Sequence, residues 1–389
     1  MSEWKEVTLD DVAIINPTES LKKGRLAKKI AMESLQPFTK NPSGFSWEEF
    51  NGGMKFRNGD TLVARITPCL ENGKTSYINI LNEGEIGFGS TEYIVLREKP
   101  QISDKQFLYY FCISPIFRDV AILSMTGSSG RQRVQTDVVR QHLFELPPIK
   151  EQQAIASVLS SLDDKIDLLH RQNKTLEAMA ETLFRQWFVE EAGEDWDEVK
   201  LENIISVKGG TTPSTKEPDF WNGNIFWTTP RDLSNLDSVF LFDTERKITD
   251  QGLARIGSGL LPVGTVLLSS RAPIGYLAIT NIPVAINQGY IAIVCDKMVS
   301  NFFIYLWCKS NLDEIKNSGN GSVFQEISKS TFKTMTICLP PKKLLLEFDT
   351  EIFPIFNKIM INQLQIRTLE TLRDSLLPKL MSGEVRVAV

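Results

Sequence analysis

The sequence predicts an α+β protein in which two tandem modules of mixed α/β structure are each followed by one long helix, and the two helices pair as a coiled coil. Three observations favour this fold class. The 389 residues exceed one ordinary core, sequence motifs recur at nearly one offset, and each repeat ends in a long heptad pattern. We expect module 1 over residues 1–148, a helix over 149–192, module 2 over 193–341, and a second helix with a C-terminal tail over 342–389.

The chain is an internal duplication. The tripeptide Leu-Pro-Pro at 146–148 recurs at 339–341, an offset of 193 residues. Three further motifs recur at offsets of 192, 193 and 196: Trp4-x-Glu6-Val7-x-Leu9 at Trp196, Thr175-Leu176-Glu177 at Thr368, and Phe107-x-Tyr109-x-x-Cys112-x-Ser114 at Phe303. Four separated matches at almost one offset are hard to obtain by chance, so each half should contain the same elements in the same order.

Each module carries short apolar runs between Gly, Pro and Asn residues, which is typical of strands between turns. The runs used for this prediction are residues 61–64, 92–96, 265–268 and 290–294. A helical segment is expected before each Leu-Pro-Pro. The two prolines should straighten the chain and end that helix before the long helix begins.

The long helices show apolar residues at alternating steps of four and three, which indicates a coiled-coil seam. The first seam is Ile155, Leu159, Leu162, Ile166, Leu169, Asn173, Leu176, Ala180, Leu183 and Trp187. The second is Phe348, Ile352, Ile355, Ile359, Asn362, Ile366, Leu369, Arg373, Leu376 and Leu380. Asn173 and Asn362 either specify the register of the pair or are tolerated near solvent. Pro354 is expected to kink the second helix near its start unless it falls within a frayed first turn, and Pro378 is expected to kink it near its end.

Composition restricts the classes of function. No apolar run reaches the roughly 20 residues of a membrane span, and the N-terminus lacks the pattern of a signal peptide, so we expect a cytoplasmic protein with no membrane partner. The five cysteines are scattered, which suggests neither a disulfide framework nor a zinc site. The formal charge of −5 counts against unaided DNA binding. Any such role must use local basic patches or charge borrowed from a partner.

No catalytic constellation is found in the sequence. The two histidines, His142 and His170, lack metal-binding spacing. The carboxylate pairs Asp163-Asp164 and Glu190-Glu191 are expected to be solvated beside a helix. The glycine-rich segments at 127–130 and 319–322 are not nucleotide-binding loops, and Asn16-Pro17 matches only the start of a methyltransferase motif. We therefore predict that this chain is not an enzyme, has no metal or catalytic residues, and binds no cofactor of its own.

The assembled motifs resemble the specificity (S) subunit of type I restriction-modification systems. The resemblance rests on LPPIKEQQAIASVLSSLDDKI at 146–166 and its degenerate second copy, on GGTTPS at 209–214, on IFWTTPRDL at 225–233, and on GTVLLSSR at 264–271 with Asn287-Gln288-Gly289. It covers essentially the whole chain. In the second copy, Lys342-Lys343-Leu344 departs from the Ile-Lys-Glu-Gln start of the first, which questions whether partners contact both helix starts identically.

The resemblance implies the following. Each module is a target-recognition domain that reads one half of a bipartite site in double-stranded DNA. The two helices pack antiparallel with pseudo-two-fold symmetry and set the gap between the halves. Two adenine methyltransferase subunits, which hold S-adenosylmethionine, dock on the chain, and motor-nuclease restriction subunits can join them.

Polar loops with Arg, Gln and Asn are the candidate DNA-contacting sites, because these side chains match base edges in the major groove. In module 1 we choose Arg65, Thr67, Ser128, Arg131, Gln132 and Arg133. In module 2 we choose Lys208, Thr211, Thr212, Arg231, Ser270, Arg271, Ser322 and Gln325. The alternative for Arg65 and Arg271 is pairing with carboxylates inside their own module. The alternatives for the whole chain are a self-sufficient DNA methyltransferase or nuclease, and a coiled-coil scaffold that binds only protein.

Overall fold

The computed structural model describes residues 3–234, 236, 238–320 and 325–388. Contacts within the chain define two units. Unit 1 comprises residues 1–168 and 367–389, and unit 2 comprises residues 169–366. The division falls inside both long helices, so each unit holds one module together with a part of each helix.

Unit 1 contains the first strands and helices in chain order: β1 (Lys5–Thr8), α1 (Leu9–Val12), β2 (Ala13–Ile15), β3 (Leu26–Ile30), β4 (Ser46–Glu49), β5 (Met54–Phe56), β6 (Thr61–Ala64), β7 (Thr75–Tyr77), β8 (Gly87–Gly89), β9 (Tyr93–Glu98), α2 (Lys105–Ile113), α3 (Pro115–Leu123), α4 (Thr136–Arg140), β10 (Leu143–Leu146) and the first part of α5 (Ile149–Arg185). Two four-stranded sheets form, in the orders β2-β9-β6-β7 and β4-β3-β8-β5, beside the two-stranded pair β1-β10.

Unit 2 continues with the end of α5 and a one-turn π-helix at Gln186–Glu190, followed by β11 (Asp197–Lys200), α6 (Leu201–Ile204), β12 (Ser206–Lys208), β13 (Trp221–Thr228), α7 (Pro230–Ser234), β14 (Phe240–Leu241), β15 (Arg246–Ile248), α8 (Asp250–Leu253), β16 (Val266–Ser270), β17 (Ile274–Thr280), β18 (Ala285–Ile286), β19 (Tyr290–Val294), α9 (Asn301–Ser310), α10 (Leu312–Asn317), α11 (Lys329–Thr334), β20 (Thr336–Leu339) and the first part of α12 (Lys342–Met381). Its sheets are β12-β19-β16-β17-β14, β15-β13-β18 and β11-β20.

The duplication is visible in the sheet topology. The order β2-β9-β6-β7 of unit 1 returns as β12-β19-β16-β17 in unit 2, where β14 adds an edge strand. The parallel pair β3·β8 returns as β13·β18. All four predicted strands are confirmed, two of them with the expected bounds. The prediction of a mixed α+β fold in tandem copies is therefore confirmed.

The Leu-Pro-Pro segments correct one detail of the sequence-based prediction. The leucine of each is the last residue of a strand, β10 or β20, so the prolines follow a strand and not a helix. β10 pairs antiparallel with β1, and β20 pairs in the same way with β11. These partner strands carry the Trp-x-Glu-Val-x-Leu motif. Two of the repeated motifs thus form one structural feature, a short ribbon that closes each module where the long helix starts.

The long helices are antiparallel within each unit. In unit 1, Glu151 of α5 bonds Arg386 beyond the end of α12, while Asp163 bonds Arg373. In unit 2, the amide nitrogen of Asn362 donates to the amide oxygen of Asn173 at 2.8 Å, and both residues are buried. The predicted seam residues are all buried or half-buried. The Asn pair is therefore an internal polar contact, and the possibility that both lie near solvent is excluded.

Each helix also packs on its own module, so its buried stripe is wider than a two-in-seven seam. In unit 1, Ile155 and Leu159 join a core that includes Phe107 and Phe111. In unit 2, Phe184 and Phe356 lie against Phe303 and Phe240, respectively. The expected solvation of the pair Asp163-Asp164 is wrong for its first member, because Asp163 is only 6% exposed and accepts hydrogen bonds from Tyr110 and Arg373.

The second helix runs on through both of its prolines, Pro354 and Pro378, to Met381. Within the described ranges, no helix is long and apolar enough to cross a membrane.

Candidate nucleic-acid interface

Four of the predicted residues of module 1 meet where strand β6 ends. The backbone N–H of Arg65 donates to the carbonyl of Glu92 at 2.9 Å, and the N–H of Val134 donates to the carbonyl of Arg65 at 2.9 Å. The N–H of Thr67 donates to the carbonyl of Gln132 at 3.0 Å. The hairpin at residues 126–133 is therefore held against the end of strand β6 by backbone hydrogen bonds. Arg65, Thr67, Gln132 and Arg133 belong to one surface.

Glu92 is the electrostatic centre of this surface, and the sequence-based prediction missed it. Arg133 donates to both of its carboxylate oxygens at 2.7–3.0 Å, and Nε of Arg65 lies 3.8 Å away. The hydrogen bond from Arg133 lowers the pKa of Glu92, so the carboxylate is charged at neutral pH. A glutamate before an apolar strand gives no sequence signal for partners lying 27 and 41 residues away in the chain.

Unsatisfied polar atoms mark the same place. Nε of Arg65 and Oγ1 of Thr67 are both buried without a hydrogen-bond partner among the described residues. Leaving a buried donor or acceptor unpaired typically costs about 1–3 kcal/mol. Because both atoms lie below the surface, a polar ligand would bond them only if the neighbouring side chains moved.

The remaining candidate DNA-contacting residues of module 1 lie at the tip of the hairpin. Ser128 and Arg131 are exposed, and the backbone N–H of Arg131 donates to the carbonyl of Ser128 at 2.9 Å. Gly130 adopts a φ of +76°, a conformation in which glycine avoids the penalty of a side chain. Among the described residues, no carboxylate lies within 4.0 Å of the Arg131 guanidinium, so its donors are available to a ligand.

Unit 2 builds the same backbone arrangement with different side chains. At the end of β16, the N–H of Ser270 donates to the carbonyl of Gly289 at 2.8 Å, and the N–H of Ile327 donates to the carbonyl of Ser270 at 3.0 Å. Arg271 pairs with Glu326 as an isolated bridge, and their side chains are 3.7 Å apart. The backbone pairing places Glu326 where unit 1 has Arg133. Each unit thus has an ion pair at the strand end, but the second partner differs in position, because Glu92 of unit 1 corresponds to Gly289 and Arg271 of unit 2 corresponds to Ile66.

These ion pairs agree with the alternative considered for Arg65 and Arg271, since each lies within 4.0 Å of a carboxylate of its own module. Ser270 is only 3% exposed, which places its side chain inside the sheet. Gln325 is exposed beside the bridge, and Ser322 lies outside the described residues. DNA contact by the fourteen chosen residues remains a prediction.

The loop after β12 holds three more candidates of module 2. Lys208 is exposed at the end of the strand. The hydroxyl of Thr211 donates to the carbonyl of Arg255 at 3.1 Å, and that of Thr212 donates to the side chain of Gln288 at 2.7 Å. Gln288 precedes Gly289, so this loop is contiguous with the strand-end ion pair.

Arg231, the last candidate of module 2, is the second residue of helix α7. Its side chain is 76% exposed and lies 3.5 Å from Glu245. Across the described ranges there is also no cluster of three or more His, Cys, Asp or Glu side chains that could hold a metal ion.

A chain that builds one polar strand-end surface twice, with different side chains each time, has the architecture of a two-site recognition protein. The chain belongs to the family of type I restriction-modification specificity proteins, because the model described as "Type I restriction modification DNA specificity domain" matches it twice, over residues 1–178 and 193–372. The resemblance noted from the sequence is thereby confirmed.

Individual relatives agree with this assignment. The chain is 40% identical over 162 residues to the type I restriction enzyme MjaIX specificity subunit of Methanocaldococcus jannaschii, a match that covers 41% of this chain and only 38% of that protein. It is 23% identical over 405 residues to the HindI specificity subunit of Haemophilus influenzae, covering 85% of this chain and 87% of that one. The crystal structure of the S subunit from M. genitalium has 17% sequence identity and a TM-score of 0.59 over 97% and 96% of the two chains, which supports the fold.

Proposed function

We propose that this chain supplies DNA sequence specificity to a type I restriction-modification complex, each module reading one half of a bipartite site. The observation that carries the proposal is the strand-end surface built twice on one backbone plan with different side chains. A family of readers for many DNA sequences needs a constant frame with variable contact residues. Membership in the family supports the same reading.

Direct readout is assigned to Arg131, which is exposed, and to Gln132, which is half-buried. Arg131 presents a guanidinium without a carboxylate partner, and a guanidinium can bond both O6 and N7 of guanine. Gln132 can bond adenine N6 and N7 in the same way. Arg133 and Arg271 are held by carboxylates, and their role is to fix the strand-end turn on which the exposed residues stand.

The chemistry is assigned to partner subunits. Two adenine methyltransferase subunits, which bind S-adenosylmethionine, would dock on this chain, and motor-nuclease subunits would join them. This chain would be non-catalytic and act in the cytoplasm. Its net charge of −5 fits that division of labour, since partners that grip the phosphate backbone leave base reading to this subunit.

The difference between the two helix starts has an internal cause. In unit 1, Glu151 is 4% exposed and bonds Arg386 and Trp4, while Gln152 is fully buried and bonds the backbone of Asp104. Position 345 of unit 2, which corresponds to Gln152, holds a buried leucine. Leucine at position 345 therefore replaces the internal hydrogen bonds of Gln152 with apolar packing. It therefore gives no reason to expect unequal docking of the two partners.

The test is reconstitution with a methyltransferase subunit, followed by sequencing of the methylated adenines. We expect a two-part sequence, and replacing residues 1–148 with another module 1 should change only one half. Methylation at unchanged sites after that exchange would show that the chain is a protein scaffold. Methylation by this chain alone would show that it is an enzyme.

A further inference from the structure

Two arginines of unit 2 are not among the fourteen candidate residues, and among the described residues neither has a carboxylate partner. The guanidinium of Arg246 stacks on the ring of Trp221 at 3.5 Å and lies 5.7 Å from the ring of Trp227. The guanidinium of Arg255 lies 5.5 Å from the ring of Phe220. Both arginines are exposed, and no acidic side chain of the described residues comes within 4.0 Å of either. We call Arg246, Arg255 and these three rings the stacked-arginine face.

The rings are firmly held, so the arginines stand on a fixed base. Trp221 and Trp227 are 7% and 3% exposed and meet edge to face at 5.0 Å. Their indole nitrogens donate to the carbonyls of Ser214 and Thr211 at 3.0 and 3.4 Å. Stacking on an aromatic ring restricts the orientation of a guanidinium. Its N–H donors lie in its own plane and remain able to bond a ligand. The face thus presents preoriented donors that nothing in the described chain satisfies.

The face is continuous with the candidate interface of unit 2. The hydroxyl of Thr211 donates to the carbonyl of Arg255, which joins the loop of Thr211 and Thr212 to this surface. That loop reaches Gln288, next to the strand-end ion pair. A ligand lying along the predicted contact residues would therefore meet the stacked-arginine face.

The corresponding sheet of unit 1 also places lysines over aromatic rings, but these lysines are already bonded. Lys28 lies over the rings of Phe45 and Trp47 and pairs with Glu85 at 3.0 Å. Lys55 lies over the ring of Phe50 and donates to the carbonyl of Glu19, and Lys29 pairs with Glu48 at 2.9 Å. Lysines that are already bonded in this way gain little further stabilisation from an anionic ligand. The surroundings of the stacked-arginine face are not strongly basic, since Glu217, Asp219 and Asp250 are exposed on adjoining segments. Arg246 and Arg255 differ from the other surface cations in having free, oriented N–H donors. The net charge of the surface does not distinguish them.

We propose that the stacked-arginine face is a second DNA-contacting surface of module 2, in which Arg246 and Arg255 bind paired acceptor atoms of the duplex. This rests on the proposed DNA-reading function. Two DNA groups offer such acceptors: the oxygens of a backbone phosphate, and O6 with N7 of guanine. Module 1 would lack this contact, so the two half-sites would be held by unequal numbers of ionic contacts.

Lys247 provides a matched control. It follows Arg246 in the same strand and points to the opposite face of the sheet, where its ammonium lies over the ring of Phe226 at 4.7 Å. It carries the same charge, has no carboxylate within 4.0 Å among the described residues, and also stacks on an aromatic ring. Long-range attraction for DNA would be reduced similarly by removing Arg246 or Lys247, whereas a direct contact would be lost only with the arginine.

The experiment measures binding of the full-length chain, with its methyltransferase partner, to a fluorescein-labelled 40-base-pair duplex that carries the mapped site, at several salt concentrations. The double variant Arg246→Gln, Arg255→Gln should lower the salt slope by about 1.8, because each phosphate contact contributes about 0.9. Between 50 and 200 mM salt, the wild type should therefore lose about tenfold more affinity than the variant. Lys247→Gln should change the slope by less than half as much.

Replacing both arginines by lysine separates the two DNA groups. If they bind phosphate, lysine restores most of the salt slope. If they read guanine, lysine restores the contact poorly, because an ammonium lacks the planar pair of donors of a guanidinium, and discrimination at one base pair falls by about fivefold or more. Thermal unfolding checks that each variant folds.

Three results would overturn the proposal: a glutamine variant that binds DNA like the wild type at every salt concentration, an equal loss in Lys247→Gln, or a loss confined to binding of the methyltransferase subunit. The last would identify an acidic protein partner. Absence of duplex binding by the wild-type complex would refute the proposed function itself, and this proposal with it.

Discussion

Breaking the ion pair between Arg373 and Asp163 should destabilise unit 1 more than most single substitutions. Arg373 occupies a seam position of helix α12, and its side chain is 8% exposed, while that of Asp163 is 5% exposed. Nη1 of Arg373 donates to Asp163 at 2.9 Å and to the carbonyl of Phe38 at 3.2 Å. The hydroxyl of Tyr110 donates to the other oxygen of Asp163 at 2.6 Å. The helices and the module are thus joined through one buried carboxylate.

The expected magnitude follows from this geometry. Two unit charges 2.9 Å apart attract by about 6 kcal/mol at an effective dielectric constant of about 20. Desolvation of both groups offsets much of this attraction. The ion pair therefore adds little to the free energy of unfolding when it is compared with an apolar pair at the same positions. Arg373→Ala, however, leaves the buried carboxyl of Asp163 with only the Tyr110 hydroxyl as a hydrogen-bond partner. It should lower the free energy of unfolding by about 3–5 kcal/mol.

The assay is urea denaturation followed by far-ultraviolet circular dichroism, with hydrogen exchange of peptides from residues 149–168 to localise the change. The double variant Asp163→Leu, Arg373→Met should recover most of the loss, because neither charge is then buried alone. Lys343→Ala, which removes an exposed i,i+4 pair with Glu347 on the same helix, is the matched control and should cost less than about 0.5 kcal/mol. A loss below about 1 kcal/mol for Arg373→Ala, or no recovery in the double variant, would refute the reasoning.

Three further outcomes are expected. Glu92→Gln should increase affinity for duplexes of any sequence and reduce discrimination in one half-site, as measured by fluorescence anisotropy on matched and substituted sites; an unchanged affinity ratio would contradict this. Asn362→Leu should cost about 1–3 kcal/mol in urea denaturation by leaving Asn173 unpaired, and the double leucine variant should be more stable than the single one. The hydrogen bond from Arg386 lowers the pKa of Glu151, so this group stabilises the fold above its ordinary pKa of about 4.3 and the stabilisation is lost as the pH falls through the lowered value. Thermal unfolding between pH 6 and 3 should therefore decline less steeply in Glu151→Gln than in the wild type.

The elements that could be predicted from the sequence are those with local or periodic signals. The two long helices follow from heptads of apolar residues, and the four strands follow from short apolar runs between turn residues. The duplication follows from motifs at one offset. These signals need no knowledge of which segments meet in space.

The errors share one cause, which is long-range pairing. The Trp4 and Leu-Pro-Pro motifs were both found, but a separation of about 140 residues concealed that they pair as β1 and β10. Asp163 looked solvated because its helix neighbours are polar, whereas its partners Tyr110 and Arg373 come from distant segments. Glu92 and Glu326 were missed for the same reason. When the role of a side chain depends on a partner that is distant in the sequence, the residues around it give no pattern that predicts this role.

The two strand-end ion pairs show how one backbone frame can carry different side chains in the two units. In unit 1 the carboxylate precedes β9 and the bound arginine comes from the hairpin, whereas in unit 2 the arginine follows β16 and the carboxylate comes from the returning segment. Two backbone hydrogen bonds at the strand end are present in both units, so they hold the turn whichever side chains it carries. The backbone pairing matches Arg133 to Glu326, whereas Glu92 corresponds to Gly289 and Arg271 to Ile66, so only the first of these positions is charged in both units, and with opposite sign. Under the proposed function, a DNA acceptor placed over that position would meet a cation in unit 1 and an anion in unit 2. Replacing side chains on a constant backbone would then change the preferred base without rebuilding the module.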